Sequence, residues 1–366
     1  MTADDSNAPL RAAAALDREK ALAFTAVAAV NWCERRQRDD LDGVAVLRSL
    51  MTAAAWTARA RAHHSQPAFA VHELIDLFDE PVGDWLPTGP RMVLVEDGEA
   101  TPLCEEMAAE AGAAPSMEVE QRVLLRAMDH LGVGTDAPAK YTAFRRFLVE
   151  HASARQVEAA RIARSVGLDL AELYQEVSSH AVTAVDGKDC FYPCPRCRWP
   201  MKVTETRVRC ASSSPCRQAG ATFARTDDGL LALGKLAAPD LVPVAGWAAL
   251  RQGVWRYTTL PGLEELDLER RLVKLGADVE LWPFIDRYDL DVRLGGQHWR
   301  VDVKDHASVP RLARHLADKP ASESIWIVVP DHKRDQVAML RSLVPAELGY
   351  RFASSSEFVR LVEVAL

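Results

Sequence analysis

The sequence predicts a multidomain chain, with an α-helical N-terminal region, a small metal-binding ribbon and a C-terminal α/β domain built on a mixed central sheet. Three observations predict it. Apolar residues recur at helical spacing through the first half. Five of the seven cysteines crowd between Cys190 and Cys216, and beyond residue 261 helix-period and strand-period segments alternate. The expected boundaries are 1–183 for the helical domain, 184–230 for the ribbon, 231–260 for a connector and 261–366 for the α/β domain.

At 366 residues and 48% hydrophobic, the chain is long enough for two or three cores. Its net charge of −8 excludes a protein that coats nucleic acid with its whole surface, so any such contact must come from local patches. No stretch approaches the roughly 20 uncharged apolar residues of a membrane helix. The N-terminus, MTADDSNAPLRAAAALDREK, is acidic where a secretory signal would be basic and then apolar, so a cytoplasmic location without membrane contact is expected.

The helical domain is read from ALAFTAVAAVNWCERR, VEQRVLLRAMDHL, YTAFRRFLVEHA and VEAARIARSV, which are rich in Ala, Leu, Glu and Arg. The Pro/Gly-bearing stretches DEPVGDWLPTGPR and GVGTDAPAK interrupt it, and RMVLVED between them reads as one short strand. A scaffold or protein-binding surface is the expectation for this half. Cys33 and Cys104 read as ordinary buried thiols.

In the ribbon, Cys194-x2-Cys197 is followed after twelve residues by Cys210-x5-Cys216. Two thiolate pairs on turns, joined by the hairpin-like MKVTETRVR, suit a tetrahedral structural Zn²⁺ shell. Pro193 and Pro195 favour the tight turn around Cys194. Cys190 is a fifth thiol that either replaces Cys194 or lies free; the CxxC spacing favours Cys194. A redox dithiol at Cys194 and Cys197 would instead need a helix N-terminus in a βαβ unit.

Residues 187–225 carry eight Lys or Arg against two acids, a local charge of +6. Arg196, Arg198, Lys202, Arg207 and Arg209, with Trp199 and Tyr192 interleaved, suit phosphate contact and base stacking.

The α/β domain begins with a capped helix, PGLEELDLERRLVKLG. Three strand-like runs (DVELWPF, YDLDVRL, HWRVDVKD), a helix (VPRLARHLAD), a strand (SIWIVVP) and a closing helix, strand and helix follow. Period-2 alternation sets Tyr288, Leu290, Val292 and Leu294 on one face and Asp289, Asp291 and Arg293 on the other. Trp299, Val301 and Val303 likewise oppose Arg300, Asp302 and Lys304.

Gly295-Gly296 signals a two-residue type I′ hairpin. That turn makes Leu294 face Gln297, Asp291 face Arg300 and Asp289 face Asp302. Two opposed carboxylates are destabilising unless a cation lies between them. Mg²⁺ (or Mn²⁺) suits such hard oxygens, and Lys304 stands beside it.

Asp289 followed by Asp302-x-Lys304, in the order helix, three strands, helix, strand, resembles the PD-(D/E)xK restriction-endonuclease-like superfamily over residues 261–345. The resemblance implies metal-dependent DNA cleavage, with Asp289, Asp302 and the Val303 carbonyl on Mg²⁺ and Lys304 supporting the attacking water. Asp302 stands where many relatives carry Glu, and Asp291 matches no required position. A first-helix acid often joins such centres. Glu265 and Glu269 both fit, Glu265 being taken, with a solvated helix face as the alternative for either. Arg311 and Arg314 are either DNA contacts or ordinary exposed residues.

ELWPFIDRYDL and WRVDVKDHAS behind a Cys-rich ribbon are similar to the endonuclease-like subunit encoded beside prokaryotic PIWI-RE proteins and a helicase. That resemblance implies DNA, a PIWI/Argonaute-like protein and a helicase as partners, and a role against plasmids or phage. A non-catalytic zinc-ribbon adaptor for nucleic acid is the competing expectation.

Overall fold

The computed structural model describes residues 8–37, 42–87, 91–96, 98–110, 115–132, 136–227, 229–321 and 323–365. The chain divides into two compact units, Met1–Pro115 and Ser116–Leu366. In the first, helices Ala8–Gln37 and Gly43–Ala62 bury Ala21, Ala26, Ala28, Ala29, Ala53 and Ala60. Residues this small let helix backbones approach closely. Thr25 and Thr57 satisfy each other there at 3.2 Å. Asp42 caps the second helix through the Val44 N–H at 2.8 Å. Cys33 and Cys104 are buried as expected. The strand expected in RMVLVED shrinks to Val95–Glu96, paired with Glu99–Ala100. Within DEPVGDWLPTGPR, Val82–Trp85 is a short helix; residues 88–90 of that stretch and 133–135 of GVGTDAPAK lie outside the described residues.

The second unit begins earlier than the composition suggests. Residues 116–183 belong to it, and their strands Ser153–Arg155 and Tyr174–Gln175 flank Trp247–Leu250 in one three-stranded sheet. The expected connector is therefore woven into the fold. Its Val242–Pro243 also pairs with Lys188–Phe191. The ribbon is a four-stranded antiparallel sheet in which Lys202–Val203 and Arg207–Arg209 form the expected hairpin.

The helix expected to start at Pro261 continues helical backbone that begins at Gln252 and passes through a π turn at Trp255–Thr259. Pro261 fits because a residue without an N–H loses nothing where the hydrogen-bond period changes. Gly262 lets this helix meet Ala137–Glu150: a Cβ there would come within 2.3 Å of Val149 Cγ2.

The C-terminal sheet is mixed, in the order Asp278–Leu281, Leu290–Leu294, Gln297–Val303, Ile325–Val329, Tyr350–Ser354; the first two pairings are antiparallel and the last two parallel. Gly295 and Gly296 have φ of 58° and 77°, as the hairpin requires, and Leu294 faces Gln297 while Asp291 faces Arg300. Leu290, Val292, Trp299, Val301 and Val303 pack against Leu266, Leu268 and Leu272 of helix Leu260–Lys274. Ile327, Val329 and Phe352 pack on the other face against Leu312, Leu316 and Leu340. Burial on both faces explains the unbroken apolar run IWIVV.

Two expectations fail here. Tyr288 precedes the strand, and its hydroxyl donates to Asp291 at 2.6 Å, so it leaves the Leu290 face. DVELWPF leaves the regular strand after Leu281: the Trp282 N–H still donates to the Asp289 carbonyl at 2.8 Å, but Trp282, Phe284, Ile285 and Asp286 take left-handed φ of 49° to 70°. Tertiary contacts made by Trp282 and Asp286 hold that costly turn.

Candidate functional site

The paired ladder ends at Leu290 opposite Val301, and Asp289 is bound just beyond it. Its N–H donates to the Val301 carbonyl at 3.0 Å, and its Oδ2 accepts the Val303 N–H at 2.6 Å. Asp302 sits in register with Ile327. Lys304 Nζ donates to Asp302 Oδ1 at 2.8 Å, with 26% and 24% of the two side chains exposed. A substrate can reach this pair.

Burial, and then the negative charges of Glu265 and Asp302, push the Asp289 carboxyl well above its ordinary range. Burial opposes charge on Asp302 as well, but the Lys304 ammonium and a hydrogen bond from Asp289 overcome it and hold that carboxyl low. Lys304 is kept protonated by Asp302 and Asp289 despite its burial. Asp289 and Asp302 offer hard carboxylate oxygens at the end of neighbouring strands, the kind of donor a divalent cation such as Mg²⁺ takes, so the residues fit such an ion.

Glu265 comes to the same place, and it is not on a solvated helix face. It is 1% exposed, its two oxygens lie 3.1 and 3.2 Å from Arg145 Nη2, and the Trp282 indole N–H donates to it. Glu269 pairs with Arg146 instead. Arg145 also pairs with Asp286, lies 4.0 Å from Asp289, and stacks over Trp282 at 4.8 Å. Tyr141 donates to Asp286 at 3.1 Å. Sequence reading missed Arg145. The signal was present: Tyr141, Phe144, Leu148 and Val149 mark the buried face of helix Ala137–Glu150, and Arg145 lies on it.

Asp291 is held by Tyr288, by His298 at 2.7 Å and by Arg293 at 2.9 Å, apart from the Asp289 group. Arg314 is exposed and Arg311 half-buried.

Burial, then the charges of Lys304, Lys333, His315 and Arg311, pull the His306 ring down to about 4. A folded imidazole that refuses a proton which the unfolded one takes below pH ~6.5 makes stability rise with pH between about 4 and 6.5. His306→Gln is expected to flatten that slope, by no more than about 3 kcal/mol in total. Urea denaturation at pH 7 and pH 5 measures it.

In the ribbon, Cys194, Cys197, Cys210 and Cys216 are all buried, and their sulfurs lie within 4.8 Å of one another. Cys190 is outside this group, in strand Lys188–Phe191. Cys194 N–H donates to the Trp199 carbonyl at 2.9 Å, and the Ser212 N–H reaches Cys210 Sγ at 3.4 Å. Tetrahedral sulfurs about 2.3 Å from a zinc ion lie about 3.8 Å apart, and Cys197 Sγ and Cys210 Sγ are 3.7 Å apart. The donor set fits a tetrahedral soft-metal site.

Of the basic residues, Arg198 and Arg207 are exposed, Lys202 and Arg209 half-buried, and Arg196 pairs with Glu264. Trp199 is not a base-stacking platform. It stacks on Trp255 at 4.3 Å and donates to the Leu250 carbonyl at 3.0 Å, because the turn folds onto the apolar core.

Residues 262–366 match the family described as REase associating with pPIWI_RE, and residues 25–154 match the one described as pPIWI_RE three-gene island domain Y. The chain joins two PIWI-RE module domains. This agrees with the motif resemblance and gives the C-terminal sheet a restriction-endonuclease-like identity. The ribbon falls between the two PIWI-RE matches, and Arg145 belongs to the domain Y stretch. Neither a curated protein nor a solved structure matches the chain. Among the described residues, no helix is long and apolar enough to cross a membrane.

Proposed function

We propose that the chain is a metal-dependent DNA endonuclease, acting in the cytoplasm as a subunit of a PIWI-RE defence module directed at plasmids or phage. The observation that carries it is the meeting of Asp289, Asp302 and Lys304 at the end of neighbouring strands in a restriction-endonuclease-like domain. Asp289, Asp302 and the Val303 carbonyl would hold the Mg²⁺ ion. When bound, that ion supplies a Lewis acid and an activated water for attack on a phosphodiester.

Lys304 acts as an ammonium. Beside Asp302, it donates to the phosphate, whose charge grows as the attacking oxygen arrives. Asp289 positions the strand end through the Val303 N–H. The four cysteines hold structural zinc. Arg198, Lys202, Arg207 and Arg209 offer phosphate contacts, with Arg196 oriented by Glu264. A PIWI/Argonaute-like protein and a helicase are the expected partners.

The test is Mg²⁺-dependent nicking of supercoiled plasmid by the full chain. Asp302→Ala and Lys304→Ala are each expected to slow it by at least about 100-fold, the scale of losing one electrostatic group at a reacting centre. Equal rates in all three proteins would leave the competing adaptor role.

A further inference from the structure

The charges around Asp289 count out to one metal ion. Four carboxylates line the centre: Glu265, Asp286 and Asp289 lie around Arg145, and Asp302 pairs with Lys304. Two cations, Arg145 and Lys304, are built in among them. The nearby acids do not alter the count, since Glu264 is paired with Arg196 and Asp305 with Lys333 at 2.5 Å. The remaining charge of −2 is what a single divalent ion carries in opposite sign.

Where phosphodiester cleavage uses two ions, they sit about 3.5–4 Å apart and share carboxylates. Here the carboxylates on the inner side of Asp289 already share a guanidinium. Arg145 reaches both oxygens of Glu265, pairs with Asp286 and lies 4.0 Å from Asp289, with 8% of its side chain exposed. Guanidinium stays charged at any working pH, and its planar fork suits bidentate carboxylates. The Trp282 ring beneath it and the Tyr141 hydroxyl on Asp286 fix its place.

We propose that Arg145 stands in for a second metal ion, so that the centre takes one divalent cation, between Asp289 and Asp302, with Glu265 serving as Arg145's partner and not as a metal ligand. The inference rests on the metal-dependent reading above. It also makes the centre composite: its resident cation comes from helix Ala137–Glu150, outside the stretch matched as endonuclease. Residues 262–366 alone would lack it.

The test counts Mn²⁺ bound to the full, zinc-loaded chain without DNA, by the loss of the free-ion spectrum in electron paramagnetic resonance; only sites lost on adding Asp289→Ala are scored, and Asp302→Ala is measured beside it. Wild type is expected to bind one ion. Glu265→Gln and Arg145→Lys should also bind one, with less than about a tenfold change in affinity for Glu265→Gln. Arg145→Met should bind two, because the vacated carboxylates become ligands. Two ions in wild type, or a drop in Mn²⁺ affinity of 100-fold or more in Glu265→Gln, would overturn the inference while leaving the metal-dependent reading intact. A folded Arg145→Met that still binds one ion would do the same. No Asp289-dependent ion at all would remove both.

Discussion

Removing the zinc proposed for the four-cysteine cluster, by a strong chelator or by Cys210→Ser, is expected to unfold the ribbon and to loosen the whole second unit. The four sulfurs are not on a detached knuckle. They belong to the same apolar core as Phe144, Leu148, Leu250 and Trp255, and the turn after Cys197 is tied to it by the Trp199 indole and by the Ser153 hydroxyl donating to the Arg198 carbonyl at 2.6 Å.

Structural zinc contributes about 10–16 kcal/mol in isolated finger peptides. With a larger core to share the loss, about 5 kcal/mol is a reasonable scale, which for a unit of this size lowers Tm by about 10–20 °C. The stacked Trp199–Trp255 pair gives a local readout in near-ultraviolet circular dichroism. Metal analysis that finds no zinc, together with an unchanged Tm after chelation, would return the cysteines to a redox role.

Arg145→Met should be the most damaging substitution outside the ribbon. Met keeps much of the length and none of the charge, leaving the buried Glu265 and Asp289 carboxyls, and Asp286 at their edge, without their guanidinium. Breaking a buried ion pair from one side costs about 3–5 kcal/mol, mostly because the partner is stranded. The second substitution separates this from lost packing. Adding Glu265→Gln removes one stranded charge and should recover part of the loss, whereas a packing defect would not recover. Urea denaturation of the single and double variants in chelator measures the difference, and additive losses would show that charge was not the cause.

Much of the C-terminal fold was legible because its rules are local. Period-2 alternation and the Gly295-Gly296 pair set the register that places Asp291 opposite Arg300. The cysteine spacing marked two turns that needed only to meet, and they do. Residues 116–183 fall in the second unit, which composition does not mark, since the strands Ser153–Arg155 and Tyr174–Gln175 are too short for a pattern and form by pairing with Trp247–Leu250.

The sequence by itself determined the sheet, its hairpin register and the cysteine set, because periodicity, turn chemistry and ligand spacing act within a few residues. Only the tertiary structure decided that Glu265 is buried, that Trp282–Asp286 turns left-handed, that Trp199 stacks on Trp255, and that an arginine more than a hundred residues upstream pairs with Glu265. Burial and charge compensation depend on what packs from elsewhere in the chain, and no local pattern records that.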